Sequence, residues 1–345
     1  MRLAVDAMGG DDAPDVIVRG CIDALKDLNP DDTLILVGDR PVIEEIMAER
    51  GVSDARLQIE HTTQVIGMGD SPVDAVRAKP DSSIVRMMEL GSSRKSANPV
   101  DAVISAGNTG ACVSAATMYM KRLPGVHRPG IACLIPGLHG PVVVCDVGAN
   151  PEPRPMHLAQ YALMAETLAR RGVGIAAPRV ALLNIGSEES KGTGMVREVR
   201  DILVRTPGLN YIGYIEGRDL FEGRADVVVT DGFVGNITLK LAEGMAKSLF
   251  STIAHEVLAH DPSLAVTLEP VMTKMFKKND YHEYGGAPLL GVNGVCIICH
   301  GSSKALTIRN AIKMAREYVA RQMNAAIIER ISELQLEVEP TGAGS

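Results

Sequence analysis

Six junctions between an apolar segment and a glycine-rich turn constrain the fold of this chain most. Each predicts a buried strand that ends in a loop, and most of these loops open a helix. The junctions are Leu3–Asp11, Ala102–Ala111, Val142–Asn150, Ala181–Gly192, Val227–Asn236 and Val295–Lys304. In a parallel sheet such loops share the carboxyl edge, where α/β proteins bind ligands. Because glycines admit backbone N–H groups and helix starts favour anions, we expect a broad polar site for a small anion.

The order of the segments predicts a three-layer α/β/α fold with a mixed, mostly parallel central sheet. Strand and helix patterns alternate in the first half as they do in βαβ units. The segments IACLIP and PVVVCDVG are separated by only four residues, GLHG, which is hairpin spacing. This part of the sheet should therefore be antiparallel, and the six loops need not all share one edge. We expect one catalytic domain over residues 1–334, a protruding helical hairpin at about 240–280, and a disordered tail over 335–345.

Composition argues against nucleic acid as a partner. The 345 residues carry a formal net charge of −7, so the chain as a whole has no basic footprint for a duplex. Aromatic residues make up 3% of the chain and Trp is absent, which leaves few stacking platforms for a single strand.

The sequence also predicts a cytoplasmic location. The start, MRLAVDAMGGDD, is typical of a first strand, and no apolar stretch approaches the roughly 18 residues of a membrane span. Six cysteines scattered through apolar segments indicate a reducing compartment. The run from Cys296 to His300 formally matches a haem attachment motif, but that attachment requires export, so we expect a buried strand instead.

Nucleotide-binding fingerprints do not fit this sequence. The first junction has only Gly9 and Gly10 where a dinucleotide fold needs G-x-G-x-x-G, and the loop GSEESKGT transposes the Lys and Gly of a Walker loop. We therefore expect no NAD, ATP or other cofactor and no metal. Cys112 is either an activated thiol or a packing residue, and there is no G-x-S-x-G elbow. The more economical mechanism is attack of one substrate on the other, with the protein supplying position and electrostatics.

The junction loops supply donors and cations for such a reaction. Lys191 is the best single candidate for a cation, whereas Asn108 and Asn236 are either helix caps or donors to an anion. Arg77 and Lys79 form a cationic cluster near two serines, although charges of this kind are usually just solvated. The predicted catalytic residues are Lys191, Asn108, Asn236, Asp231 and Lys304. The predicted substrate-binding residues are Arg77, Lys79, Ser82, Thr109, Gly110, Asp146, Asn150, Asn184, Glu188, Lys240, His300 and Ser302.

Together these motifs resemble those of the bacterial phosphate acyltransferases of phospholipid synthesis. The resemblance is carried in order by VDAMGGDDAP, RAKPDSS, SAGNTGA, DVGAN, NIGSEESKG, TDGFVGNITLKLAEG, YGGAPLLGVNG and HGSS. It implies transfer of a fatty acyl group from acyl carrier protein to inorganic phosphate, and an acyl phosphate product that feeds a membrane acyltransferase. It also implies a homodimer and a fold related to phosphotransacetylases and to isocitrate and isopropylmalate dehydrogenases, without their nicotinamide.

The resemblance makes the expected mechanism more specific. Phosphate should attack the thioester directly, without an acyl-enzyme, and we expect SAGNTGA, NIGSEESKG and TDGFVGN to converge on it. A product used at the membrane fits a peripheral contact with the bilayer or with the membrane acyltransferase. The turn of the helical hairpin is the candidate for this contact, or for docking the acidic carrier protein. Its apolar and basic residues are Leu264, Val266, Leu268, Lys274, Lys277 and Lys278.

Three alternatives remain open at this point. The first is a short-chain phosphotransacetylase that uses coenzyme A, because the loop pattern does not separate the two donors. The second is a metal-dependent hydroxyacid dehydrogenase of related fold, which the missing dinucleotide fingerprint disfavours. The third is a membrane-recruited scaffold for lipid-synthesis proteins without catalytic activity.

Overall fold

The computed structural model describes residues 1–279 and 284–338, which form an eleven-stranded sheet with helices on both faces. The strands are β1 (Arg2–Asp6), β2 (Thr33–Gly38), β3 (Leu57–His61), β4 (Ala102–Ser105), β5 (Gly130–Ile135), β6 (Val142–Cys145), β7 (Val180–Leu183), β8 (Tyr211–Ile215), β9 (Val227–Val229), β10 (Ala287–Leu290) and β11 (Val295–Ile298). The helices are α1 (Asp15–Ala24), α2 (Arg40–Glu49), α3 (Pro72–Ala78), α4 (Ser83–Leu90), α5 (Thr109–Ala115), α6 (Pro155–Thr167), α7 (Gly194–Arg205), α8 (Gly232–His260), α9 (Pro262–Asn279), α10 (Ala305–Ala320) and α11 (Met323–Val338).

The sheet separates two apolar cores, because successive side chains of a strand point to opposite faces. In β1, Leu3 and Val5 belong to the core that also contains residues of α1, α6 and α10. Ala4 belongs to the other core, together with residues of α4 and α5. A sheet covered on both faces by helices confirms the predicted three-layer α/β/α architecture.

Strand direction divides the sheet into two parts. The strand order is β3-β2-β1-β4-β11-β10-β5-β6-β9-β7-β8. The first five strands are mutually parallel, and so are the last four. Between them the pairings β11–β10, β10–β5 and β5–β6 are antiparallel. The β5–β6 hairpin therefore confirms the mixed sheet that the GLHG spacing predicts.

The junction loops consequently lie at two opposite edges of the sheet, as the predicted hairpin allowed. Three antiparallel pairings are an odd number, so the last four strands run opposite to the first five. The loops after β1, β4 and β11 lie at one edge, which we call the upper edge. The loops after β6, β7 and β9 lie at the lower edge. SAGNTGA thus lies at the opposite edge from NIGSEESKG and TDGFVGN.

Two long helices, α8 and α9, occupy the region of the predicted helical hairpin and meet at Asp261. Helix α8 begins after the cap Asp231, whose Oδ1 accepts from the backbone N–H groups of Phe233 and Val234. Helix α11 continues to Val338, past the boundary expected at 334, whereas residues 339–345 of the expected tail lie outside the described residues. Within the described ranges, no helix has both the length and the apolar character needed to cross a bilayer.

Candidate functional site

At the upper edge the loops after β1, β4 and β11 pack directly on one another. The N–H of Asp11 donates to the carbonyl of Gly301 at 2.8 Å. A Cβ atom on Gly9 would lie 2.7 Å from the backbone nitrogen of Gly107, so neither loop has room for a side chain there. The sequence predicts that these glycines let a ligand approach the backbone. In the structure they instead allow one loop to pack closely on another.

The side chain of Asn108 is fully engaged by the fold. Its Oδ1 caps α5 by accepting from the N–H of Ala111 at 3.0 Å. Its Nδ2 lies 3.1 to 3.2 Å from the carbonyl oxygens of Gly67, Met68 and Asp70. An amide nitrogen carries two N–H donors, and both have acceptors here. Asn108 therefore caps α5, and neither of its side-chain N–H groups is free to donate to an oxyanion.

Two of the cations expected at the upper edge are paired with carboxylates. The Nζ of Lys79 lies 2.6 Å from Oδ2 of Asp70, and the Nζ of Lys304 lies 2.6 Å from Oδ2 of Asp12. Partly exposed pairs of this kind contribute little to stability. Each nevertheless gives the lysine a competing anion, which weakens its case as a phosphate contact.

Four further upper-edge residues named from the sequence lie on or next to α3, α4 and α5. Arg77 is exposed in the last turn of α3. Ser82 is buried and caps α4 by accepting from the N–H of Val85. Thr109 is exposed at the start of α5, and Gly110 follows it with Pro72 so close that a Cβ atom would lie 2.6 Å from its Cγ. Only Arg77 and Thr109 of this group present an exposed polar side chain.

At the lower edge, Asp146 organises the loop DVGAN. Its Oδ1 accepts from the N–H groups of Ile131, Gly148 and Ala149 at 3.0, 3.2 and 3.0 Å, and its Oδ2 accepts from that of Asn150 at 2.7 Å. Burial raises the pKa of the Asp146 carboxyl, and these hydrogen bonds offset part of the rise. A carboxylate with this many internal donors shapes the loop rather than contacting a ligand.

The loop TDGFVGN and the start of α8 pack against DVGAN. A Cβ atom on Gly235 would lie 1.9 Å from the backbone oxygen of Asp146, so the helix can approach only because glycine stands there. The neighbouring Asn236 is exposed, and its Cγ lies 3.8 Å from the position of a Cβ atom on Gly148. The two glycine-rich loops therefore present Asn236 beside the lower edge.

Helix α8 connects the two edges through a polar stripe. Asn236, Lys240 and Glu243 follow at spacings of four and three residues, which places them on one face of the helix. Asn236 lies at the lower edge, whereas the Nζ of Lys240 lies 3.4 Å from Nε2 of His300 in the loop after β11. Asn236 and Lys240 are separated along the helix axis by only about 6 Å. Groups from both edges thus meet along α8.

His300 is the centre of a titratable cluster. Its Nδ1 lies 2.8 Å from Oγ of Ser302 and 3.2 Å from the backbone nitrogen of the same residue. A ring protonated on Nδ1 can donate to the Ser302 hydroxyl and accept from Lys240 at Nε2, whereas the other tautomer accepts from the Ser302 N–H. Burial raises the pKa of Glu243, and positive charge on His300 and Lys240 offsets part of the rise. Interacting titratable groups of this kind are typical of proton-transfer sites.

The sequence indicated Lys240, His300 and Ser302 but not Glu243. The available signal was the three-residue spacing of Glu243 from Lys240 on a predicted helix. It also did not indicate a group of basic residues in segments 122–128 and 154–157, which lies next to DVGAN. These two segments are far apart in sequence, and the β5–β6 hairpin brings them together.

The loop after β7 forms a separate part of the lower edge. Asn184 Nδ2 donates to the carbonyl of Gly186 at 3.1 Å, and the N–H of Lys191 donates to the carbonyl of Glu188 at 3.0 Å. The Lys191 side chain is exposed, and its ammonium forms no ion pair with a side chain in the described part of the structure. Lys191 is therefore available to an anion, although not at the edge where SAGNTGA lies.

The cysteines are not placed for thiolate or haem chemistry. Burial raises the pKa of Cys112 and of Cys299 to about 12, so both remain thiols at neutral pH. Cys296 lies inside β11 and is buried, as the strand interpretation expects. Among the side chains that the structure describes, no group of three His, Cys, Asp or Glu residues is arranged to hold a metal ion.

Comparison with known sequences relates nearly the whole chain to one family. Residues 1–326 match the family model described as "Fatty acid synthesis protein". The chain is 43% identical over 338 residues to the phosphate acyltransferase of Geotalea daltonii, covering 96% of this chain and 95% of the relative. It is 46% identical over 337 residues to that of Heliobacterium modesticaldum, covering 96% and 98%.

Solved structures share the fold at low sequence identity. A phosphotransacetylase from Streptococcus pyogenes aligns with a TM-score of 0.61 and 17% identity over 93% of this chain and 94% of its own. A 4-hydroxythreonine-4-phosphate dehydrogenase from Klebsiella pneumoniae aligns with a TM-score of 0.52 and 14% identity over 92% and 99%. The first likeness confirms the predicted fold relationship to phosphotransacetylases. The family model and the sequence relatives go further, and the chain belongs to the phosphate acyltransferase family of fatty acid synthesis proteins.

Proposed function

We propose that this chain transfers a fatty acyl group from acyl carrier protein to inorganic phosphate, giving acyl phosphate and free carrier protein. Phosphate as acceptor follows the name of the relatives, and the carrier protein as donor follows the motif resemblance. The observation that supports the proposal best is the cluster of Lys240, His300 and Glu243. It offers proton transfer and positive charge beside two glycine-rich edges, and no activated nucleophile accompanies it among the described residues.

The proposed chemistry needs no covalent intermediate on the protein. An oxygen of the phosphate monoanion or dianion attacks the thioester carbonyl carbon, the C–S bond breaks, and the phosphate proton passes to the departing thiolate. We propose that His300 carries this proton. Lys240 would stabilise negative charge on the attacking phosphate or on the tetrahedral oxyanion, and Asn236 would donate a hydrogen bond to that oxyanion. Lys191 stays the proposed phosphate contact from the loop after β7.

The choice of donor tests the proposed function. With fatty acyl–carrier protein and phosphate, we expect acyl phosphate that hydroxylamine traps as a hydroxamate, at a rate that depends on phosphate. A faster rate with acyl-coenzyme A would favour the phosphotransacetylase alternative. Vesicle binding without any phosphate-dependent transfer would favour the scaffold, and nicotinamide reduction with a hydroxyacid would favour the dehydrogenase.

We further propose that α8 packs against a second copy of this chain, as the resemblance implies. A row of large apolar side chains on α8 is exposed in the single chain: Ile237, Leu241, Met245, Leu249 and Ile253. Leu241 is 61% exposed and Met245 is 65% exposed, and a contiguous row of this kind marks an interaction surface. The four-residue spacing of the row is that of one helix face, suited to another helix.

Charges on this row should therefore dissociate the dimer. The double variant Leu241→Lys/Met245→Lys is expected to elute as a monomer in size-exclusion chromatography with light scattering, whereas we expect the unmodified chain to elute as a dimer. The control Val204→Lys changes an apolar residue of similar exposure, 65%, on α7 and should leave the mass unchanged. A dimer that persists in the double variant would exclude α8 as its interface.

The α8–α9 turn is our proposed contact for the membrane surface or the carrier protein. Leu264 and Val266 are exposed there, and Lys274 supplies a positive charge nearby in sequence. Leu268 is half-buried, and the side chains of Lys277 and Lys278 lie outside the described residues. Exposed apolar residues beside lysines are typical of a surface that touches anionic lipid headgroups.

A further inference from the structure

A group of basic residues surrounds the start of α6 at the lower edge, and no role described above uses it. We define the α6 basic cluster as Arg122, His127, Arg128, Arg154 and His157. The first three precede β5, and the last two stand at the start of α6. The rings of His127 and His157 face each other edge-on, with 6.1 Å between their centroids. Two segments of the chain thus bring their basic side chains together.

The α6 basic cluster has no carboxylate partner among the side chains that the structure describes. Several arginines elsewhere in the chain are neutralised: Arg56, Arg179 and Arg330 lie 2.7, 2.9 and 2.9 Å from carboxylate oxygens. Glu152 stands in the same loop as Arg154 but is exposed and forms no ion pair with any of those described side chains. In a chain of net charge −7, unpaired cations gathered at one place create a local positive potential.

The α6 basic cluster is held in place before any ligand binds. The buried side chain of Gln160 accepts from the N–H of His127 at 2.8 Å and donates to the carbonyl of Gly125 at 2.8 Å. The guanidinium of Arg122 donates to the carbonyl of His127. These contacts fix the loop before β5 to α6, so an anion that binds here need not first order the loop.

The pKa of His157 is lowered by burial and partly by the positive charges around it. Burial lowers the pKa of His157, and positive charge on Arg128, His127, Arg154 and Arg122 lowers it further. Its Nδ1 accepts from the backbone N–H of Arg154 at 3.0 Å, so the proton of the neutral ring is on Nε2. The imidazole is therefore a hydrogen-bond donor next to several cations.

We infer that the α6 basic cluster binds a phosphoryl oxyanion. Guanidinium groups match phosphate geometry with paired N–H donors, and the Nε2–H of His157 adds a neutral donor. The N-terminus of α6, a helix of 13 residues, adds the positive end of its dipole. The identity of the ligand rests on the proposed function: the phosphoryl group belongs to inorganic phosphate or to the phosphodiester that attaches the thiol arm to the carrier protein.

The α6 basic cluster is connected to the site along α8 by direct contacts. Arg128 Nη1 lies 3.3 Å from Oδ1 of Asn150, and the Asn150 N–H donates to Asp146. The backbone oxygen of Asp146 is the atom against which α8 packs at Gly235. A phosphoryl group held by the cluster would therefore lie at the same edge as Asn236. Asn236 stands one helical turn before Lys240 on α8.

Binding measured without an acyl donor tests this inference separately from acyl transfer. The variants Arg128→Ala and Arg154→Ala, singly and together, would be titrated by calorimetry with inorganic phosphate and, separately, with pantetheine 4′-phosphate. For whichever of these two ligands binds at the α6 basic cluster, we expect each single variant to weaken the affinity by about 10-fold to 100-fold. Arg94→Ala removes an exposed arginine that has no ion pair among the described residues, and should leave both affinities unchanged.

The two titrations also distinguish the sources. Weaker binding of inorganic phosphate alone assigns the α6 basic cluster to the acceptor, and weaker binding of pantetheine phosphate alone assigns it to the donor arm. Unchanged affinity for both ligands in the folded double variant would overturn the inference, even if the unmodified chain transfers acyl groups. The unmodified chain could also lack acyl transfer activity while the variants bind phosphate more weakly than it does. That result would support the phosphoryl site and reject the proposed function.

Discussion

Replacing His300 by alanine should lower the turnover number for phosphate-dependent acyl transfer by at least about 100-fold, the lower end of what general acid–base catalysis contributes. The variant loses the ring that we propose to carry the proton from phosphate to the thiolate. It also leaves Lys240 without the acceptor that lies 3.4 Å away. Because proton transfer belongs to the transition state, the loss should appear in kcat more than in KM for the acyl donor.

The hydroxamate assay measures this loss, and two controls make it specific. His139→Ala removes an exposed histidine from the β5–β6 turn and should keep full turnover. Added imidazole should restore part of the turnover of His300→Ala, because a small base can occupy the vacated space, and should not affect His139→Ala. Turnover within threefold of the unmodified chain in His300→Ala would remove His300 from the mechanism.

The parts of the fold with a local sequence signal were predictable. The GLHG spacing predicts the antiparallel β5–β6 pair, and Asn108 predicts a helix cap that the structure contains. The insertion of β10 between β11 and β5 has no such signal, since Leu290 pairs with Gly130 from a distant part of the chain. That insertion adds two of the three direction reversals, which cancel each other. The net reversal that places the loops at two edges comes from the β5–β6 hairpin.

The candidate site was predictable in its residue types but less so in its contacts. Lys240 and His300 lie 60 positions apart, and only the three-dimensional path of α8 brings them together. Whether a lysine is free to bind an anion also depends on residues far away in sequence. Lys304, for example, is paired with Asp12, 292 positions away. Sequence patterns show which side chains can carry charge, whereas neutralisation depends on long-range packing.

A methyl group at Gly235 should destabilise the fold by about 3 kcal/mol, the upper end of what overpacking usually costs. The Cβ atom of Gly235→Ala would lie 1.9 Å from the backbone oxygen of Asp146 and 3.0 Å from its carbonyl carbon. That backbone cannot shift easily, because the Asp146 N–H donates to the carbonyl of Thr230 at 3.0 Å and its side chain accepts four backbone N–H groups. Helix α8 would have to move instead.

The matched control is Gly244→Ala on the same helix, where an added Cβ atom would meet nothing within 4 Å. Alanine exceeds glycine in helix propensity by about 1 kcal/mol, so this variant should be slightly more stable than the unmodified chain. Urea unfolding followed by circular dichroism measures both changes. Where Gly235→Ala still folds, displacement of α8 should also lower acyl transfer, because Asn236 and Lys240 move with the helix. Equal stability of the two variants would show that α8 does not pack on Asp146 in solution.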